Sequence, residues 1–151
     1  MRANELMIGD WVKFADNVDW ADGLNGKPVQ VEGLRDDDAA IKVYDPRPNS
    51  EFRDFWSDDE DDFEPIPLTD EILKKNGWEI GTIPDICNGT EDWAIWPVDS
   101  EIEIPFRLQR GYDGHRWWIV VGIGGLLTHI DYVHEFQHAL RLCGIEKDIV
   151  L

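Results

Sequence analysis

The sequence predicts an α+β fold: a small N-terminal β-barrel, then an antiparallel sheet covered by a C-terminal helix. Three observations predict it. Short strand-like runs crowd the first 44 residues, further alternating runs follow Trp78, and an amphipathic helix pattern spans Asp131 to Gly144.

The first part begins with Gly9-Asp10, a turn signal, and the strand-like run Trp11-Val12-Lys13-Phe14. Asn17 to Lys27 is polar, carries Gly23 and Gly26, and reads as a long loop. Val29-Gln30-Val31-Glu32 alternates as a half-exposed strand should, and Ala39 to Tyr44 forms a third strand after a turn ending in three aspartates. Short strands, a Gly-Asp start and a long first loop resemble an SH3-like small barrel over residues 1–44. That is a common fold with no activity of its own.

Residues 45–64 break the pattern and are expected to be an acidic connector. Pro46 and Pro48 precede Ser57-Asp58-Asp59-Glu60-Asp61-Asp62. Charges at this density repel one another and favour an open, mobile loop. An EF-hand would need a glycine and a terminal glutamate at positions that lack them here. Phe52, Phe55, Trp56 and Phe63 nevertheless predict that the segment touches the body at several points.

Residues 65–151 are expected to form the α+β unit. In Pro67-Leu68-Thr69-Asp70-Glu71-Ile72-Leu73-Lys74-Lys75-Asn76-Gly77, Thr69 caps a short helix. Acidic residues favour its positive end, lysines its negative end, and Gly77 stops it. Antiparallel strands are expected at Trp78 to Ile80, Trp93 to Trp96, Ile102 to Leu108 and Trp117 to Val121, with a turn at Gly111 to Gly114. Gly122-Ile123-Gly124-Gly125 has neither phosphate-loop spacing nor the P-loop lysine, and is read as a turn.

The last helix is expected over residues 132–143, with Asp131 as N-cap and Gly144 after the last turn. At about 100° per residue, Tyr132, Val133, Phe136, Ala139, Leu140 and Cys143 share a face that should be buried. His134, His138 and Arg141 fall on the opposite side, expected in solvent, with Glu135 and Leu142 flanking.

That helix also spells His134-Glu135-Phe136-Gln137-His138, the H-E-x-x-H arrangement of zinc peptidases. Two histidines four residues apart can reach one Zn²⁺, and Glu135 can act as base on a bound water. HEFQHALRL is similar to the active-site helix of zincin metallopeptidases over about nine residues. Against the zinc reading, the pair turns away from the apolar face, and the metzincin extension is missing. The 13 residues after His138 hold no histidine. Glu146, Asp148, His115 or His129 would have to supply a third ligand, none at a recognised spacing. The leading expectation is therefore no catalytic residue, cofactor or metal. The alternative is a zinc site of His134 and His138 with Glu135 catalytic.

Composition narrows the partners. The chain has 151 residues, 42% hydrophobic, eight of them tryptophan, and a formal net charge of −18. Such a chain is repelled by nucleic-acid phosphates and anionic lipid, and attracts a basic protein. No signal peptide and no membrane-length apolar run is legible, and Cys87 and Cys143 read as thiols. A cytoplasmic protein is expected.

Three blocks, MRANELMIGDWV, EPIPLTDEILKKNGW and IDYVHEFQHALRLCGIE, resemble an uncharacterised protein family of gut bacteria and their phages and mobile elements. They span most of the chain in matching order. The final block of that family often reads Y-V-H-x-L-Q-N, which implies that His138 is dispensable. The family brings no assigned activity and no functional residue. The leading expectation is a non-enzymatic protein-interaction module of phage or mobile-element origin. The alternatives are a zinc-dependent peptidase using the HEFQH helix, and an acidic nucleic-acid mimic that blocks a basic partner.

Overall fold

In the computed structural model, the described residues are 5–19, 23–35, 40–44, 54–59, 61–85, 89–95, 105–111, 116–121 and 125–151. Pro46, Pro48, Phe52, Glu60, Cys87, Trp96, Ile102 and His115, named above, lie outside them, as do residues 36–38, 112–114 and 122–124. The fold is α+β, with two antiparallel five-stranded sheets and two helices among the described residues. Contacts divide the chain into two compact units, residues 1–66 and 67–151.

The first unit holds β1 (Trp11–Phe14), β2 (Pro28–Leu34), β3 (Ile41–Tyr44), β4 (Asp54–Ser57) and β5 (Phe63–Pro65) in the order β4-β3-β2-β1-β5. Alternation in β1 and β2 sends Val12, Phe14, Val29 and Val31 inward, to pack with Leu24, Ile41, Val43 and Phe63. Phe14 and Phe63 sit with ring centroids 5.3 Å apart. Trp11 is only half-buried, because it points to the other face of β1 from Val12. Gly9 turns the chain into β1 at φ 88°, and Asp10 is wholly buried, its carboxylate accepting from the Met7 amide at 2.7 Å.

Two expectations need correction. The sheet is open among the described strands, with β4 and β5 at its edges, so no closed barrel is present there. Periodicity marks strands but carries no information on whether the two edges meet. Nor is 45–64 a connector outside the fold, since β4 pairs with β3 and β5 pairs with β1. The aspartate run between them is a hydrogen-bonded turn. Ser57 Oγ donates to Asp62, the Asp59 amide donates to Ser57 Oγ at 3.2 Å and the Asp61 amide to Asp59 Oδ1 at 2.9 Å. The Ala15 amide ties it to β1 by donating to the Asp62 carbonyl at 2.9 Å. Charge density was outweighed here because short aspartate and serine side chains satisfy nearby amides.

The second unit holds α1 (Asp70–Lys75), β6 (Glu79–Asp85), β7 (Gly89–Ile95), β8 (Phe106–Arg110), β9 (Trp117–Val121), β10 (Gly125–Ile130) and α2 (Val133–Leu142). Its sheet is a simple meander, β10-β9-β8-β7-β6. As expected, Thr69 caps α1, accepting from the Ile72 amide at 3.3 Å, and Gly77 follows it at φ 88°. Register places Leu108 opposite Ile119 and Phe106 opposite Val121 on one face. Trp117, Leu108, Trp78 and Phe136 are buried, with Trp78 5.8 Å from Phe106 and 5.5 Å, edge-on, from Phe136. On β7, Trp93 is buried and Ile95 is exposed.

Candidate functional site

The HEFQH segment is set by how α2 begins. The expected cap is displaced by one residue: Tyr132, in extended backbone, occupies the N-cap. The Asp131 and Tyr132 amides donate to Glu135 Oε2 at 2.7 and 3.1 Å, so Glu135 serves as the reach-back member of the cap. The Asp131 carboxylate turns elsewhere, 3.6 Å from Arg116 Nε and 3.8 Å from His129 Nε2. Pro67 bridges to Tyr132, and the Leu68 amide donates to the Asp131 carbonyl at 2.9 Å.

The apolar stripe of α2 is buried at Val133, Phe136, Ala139 and Leu140. Its polar side is not the solvated face expected. His134 is only 6% exposed and Gln137 only 4%, whereas Leu142 is 88% exposed and Cys143 is exposed. The His134 ring stacks on Tyr132 at 5.8 Å and meets the His138 ring edge-on at 5.9 Å. Periodicity ranks side chains by polarity, while burial depends on which segments fold over them. The chain folds back after α2, burying Ile145 and Ile149.

Between α2 and the sheet lies a cleft of about 410 Å³. Its sheet side presents Phe106, Ile119, Val121 and Ile130, and its helix side Ala139 and Leu142. Thr128, His129, Glu135, His138 and Cys143 supply its polar lining. The structure therefore brings Glu135 and His138 together with His129 in one cleft, while His134 is not among its lining. Glu146 and Asp148 are exposed on the tail, away from that lining, and His115 is outside the described residues. Among the described residues, no group of three or more His, Cys, Asp or Glu could hold a metal ion. Helical periodicity carries no information on the sheet side of this cleft. The available signal was Leu142, a large apolar residue on the side of the helix assigned to solvent.

The first unit has a second cleft, of about 590 Å³, between the loop after β1 and the turn after β4. Asn17, Val18 and Asp19 line one side, and Trp56, Ser57, Asp58, Asp59 and Asp62 the other. Trp56 is 46% exposed, and the Arg35 guanidinium lies over its ring at 5.4 Å. The aspartates were legible as a run, but not their placement beside an exposed tryptophan.

Among the described residues no helix is long and apolar enough to cross a membrane. A scan against protein-family models, a search of curated proteins and a search of solved structures each find no match for the chain.

Proposed function

We propose that the protein is a non-enzymatic interaction module of phage or mobile-element origin that binds a basic partner protein in the cytoplasm. The observation that carries the reading is Trp56, half-exposed in a cleft with Asp19, Asp58, Asp59 and Asp62. The Trp56 ring already takes the chain's own Arg35 guanidinium at 5.4 Å, and the carboxylates beside it suit a further arginine or lysine side chain through ion pairing. The net charge of −18 would speed the approach of such a partner. The strand order β4-β3-β2-β1-β5, a meander whose last strand returns to the first, supports the SH3-like reading of this unit.

The test is titration of the whole protein with an arginine-rich peptide, followed by tryptophan fluorescence and calorimetry. Saturable binding that weakens with salt is expected, with at least tenfold loss in Trp56→Ala. Binding that ignores both salt and this substitution overturns the reading. Competition between the protein and a DNA fragment for one basic partner would instead favour the nucleic-acid mimic.

The zinc-peptidase reading keeps one supporting observation: the His134 and His138 rings are 5.9 Å apart on one helix, with Glu135 between them in sequence. One zinc per chain surviving dialysis, released by His138→Asn, is the result that would favour it.

A further inference from the structure

We propose that the cleft between α2 and the second sheet binds a small alkylamine, its hydrocarbon chain on the apolar lining and its ammonium group at Glu135. The volume, about 410 Å³, falls within the usual range for small-ligand sites, roughly 300–1,000 Å³. The lining matches that class, with an apolar body and few polar groups. Phe106, Ile119, Val121 and Leu142 offer hydrocarbon from both walls. Leu142, 88% exposed, is a large apolar residue left open at this cleft.

The head group follows from charge. Among the described lining residues, Glu135 is the one counted as formally charged when histidines are taken as neutral. Among the described residues, both of its hydrogen bonds fall on Oε2, from the amides of Asp131 and Tyr132. Oε1 is left as an acceptor for an ammonium N–H. An alkyl carboxylate would bring a second negative charge beside Glu135 on a chain of net charge −18. An alcohol would fill the cleft without using the charge.

The experiment is calorimetry on the whole chain with butylamine, hexylamine and octylamine, against 1-octanol and octanoate. Saturable one-to-one binding of octylamine is expected, tightening roughly fourfold for each methylene added. Octanol and octanoate should bind at least tenfold more weakly than octylamine. Glu135→Gln keeps a side-chain oxygen for the helix cap and removes only the charge. It should abolish the preference for the amine over the alcohol. Leu142→Ser, at an exposed position that the fold does not need, should weaken octylamine severalfold at unchanged thermal stability. No saturable binding, equal affinity for octanoate, an amine preference that survives Glu135→Gln, or an affinity indifferent to Leu142→Ser would each overturn the proposal.

Discussion

The side-chain amide of Asn76 pairs with both backbone groups of Val150. Its Nδ2 donates to the Val150 carbonyl at 2.8 Å, and its Oδ1 accepts from the Val150 amide at 2.9 Å. The same Nδ2 also donates to the Ile72 carbonyl at 2.8 Å, at the end of α1. One side chain, 3% exposed, thus closes a helix and holds the end of the chain 74 residues away. Lys147 adds to the clasp by donating to the Asn76 carbonyl at 2.6 Å, although burial pushes its ammonium below the ordinary value.

Asn76→Ala is therefore expected to destabilise the second unit by about 1–3 kcal/mol, since it removes three hydrogen bonds at once, two of them to the part-buried Val150 backbone. Hydrogen exchange at the Val150 amide should rise with it. A mutant whose denaturation midpoint and Val150 exchange both match the parent would show that the clasp contributes nothing.

The aspartate turn gives a prediction that divides its members. Asp62 accepts from Ser57 Oγ, and Asp59 accepts from the Asp61 amide, whereas Asp58 is exposed. Asp62→Ala should cost about 1 kcal/mol, as a lost hydrogen bond does. Asp58→Ser should stay within about 0.5 kcal/mol, as surface substitutions do. Urea midpoints compare the two, and equal effects would return the run to an unstructured connector.

Glu71 supplies a pH dependence. Its own backbone amide and the Thr69 hydroxyl hold its carboxyl below the ordinary value of 4.5. A carboxyl with a lowered folded-state pKa binds its proton less readily in the fold than in the unfolded chain. Its contribution is therefore present above pH 4.5 and lost as pH falls through the lower folded-state value. The melting temperature of Glu71→Gln should lie below the parent at neutral pH and converge with it in acid. A constant gap across that range would remove Glu71 as the cause.

Much of this was legible in the sequence because it rests on local rules. Thr69 as cap, Gly77 as stop, and the inward Val29 and Val31 follow from spacing alone. Burial of Phe136 followed the same way, and Phe136→Ala should cost about 3–5 kcal/mol. What spacing could not supply is the identity of distant neighbours. The Asn76 clasp joins residues 74 positions apart, and the Asp62 carbonyl is tied to Ala15 across the first sheet. The two clefts were hidden for the same reason. Each lies between segments far apart in the chain, so Trp56 and Asp19, or Leu142 and Phe106, carried no mutual signal.

The helix tests this distinction most directly, because His134 reverses what periodicity assigns while Leu142, apolar by type, keeps the exposed place periodicity gives it. His134 sits on the side expected in solvent, yet it is 6% exposed and packed between the Tyr132 and His138 rings. Leu142 is apolar and 88% exposed. His134→Ala should therefore cost about 1–3 kcal/mol, through lost packing against the Tyr132 and His138 rings. Leu142→Ser should stay within about 0.5 kcal/mol. Alanine and serine differ in helix propensity by only a few tenths of a kcal/mol, so the contrast cannot come from the backbone. Chemical denaturation of both variants decides it. If Leu142→Ser is the costlier change, α2 is rotated relative to the packing described above. In that case His134 would return to the solvated face that polarity alone assigns it.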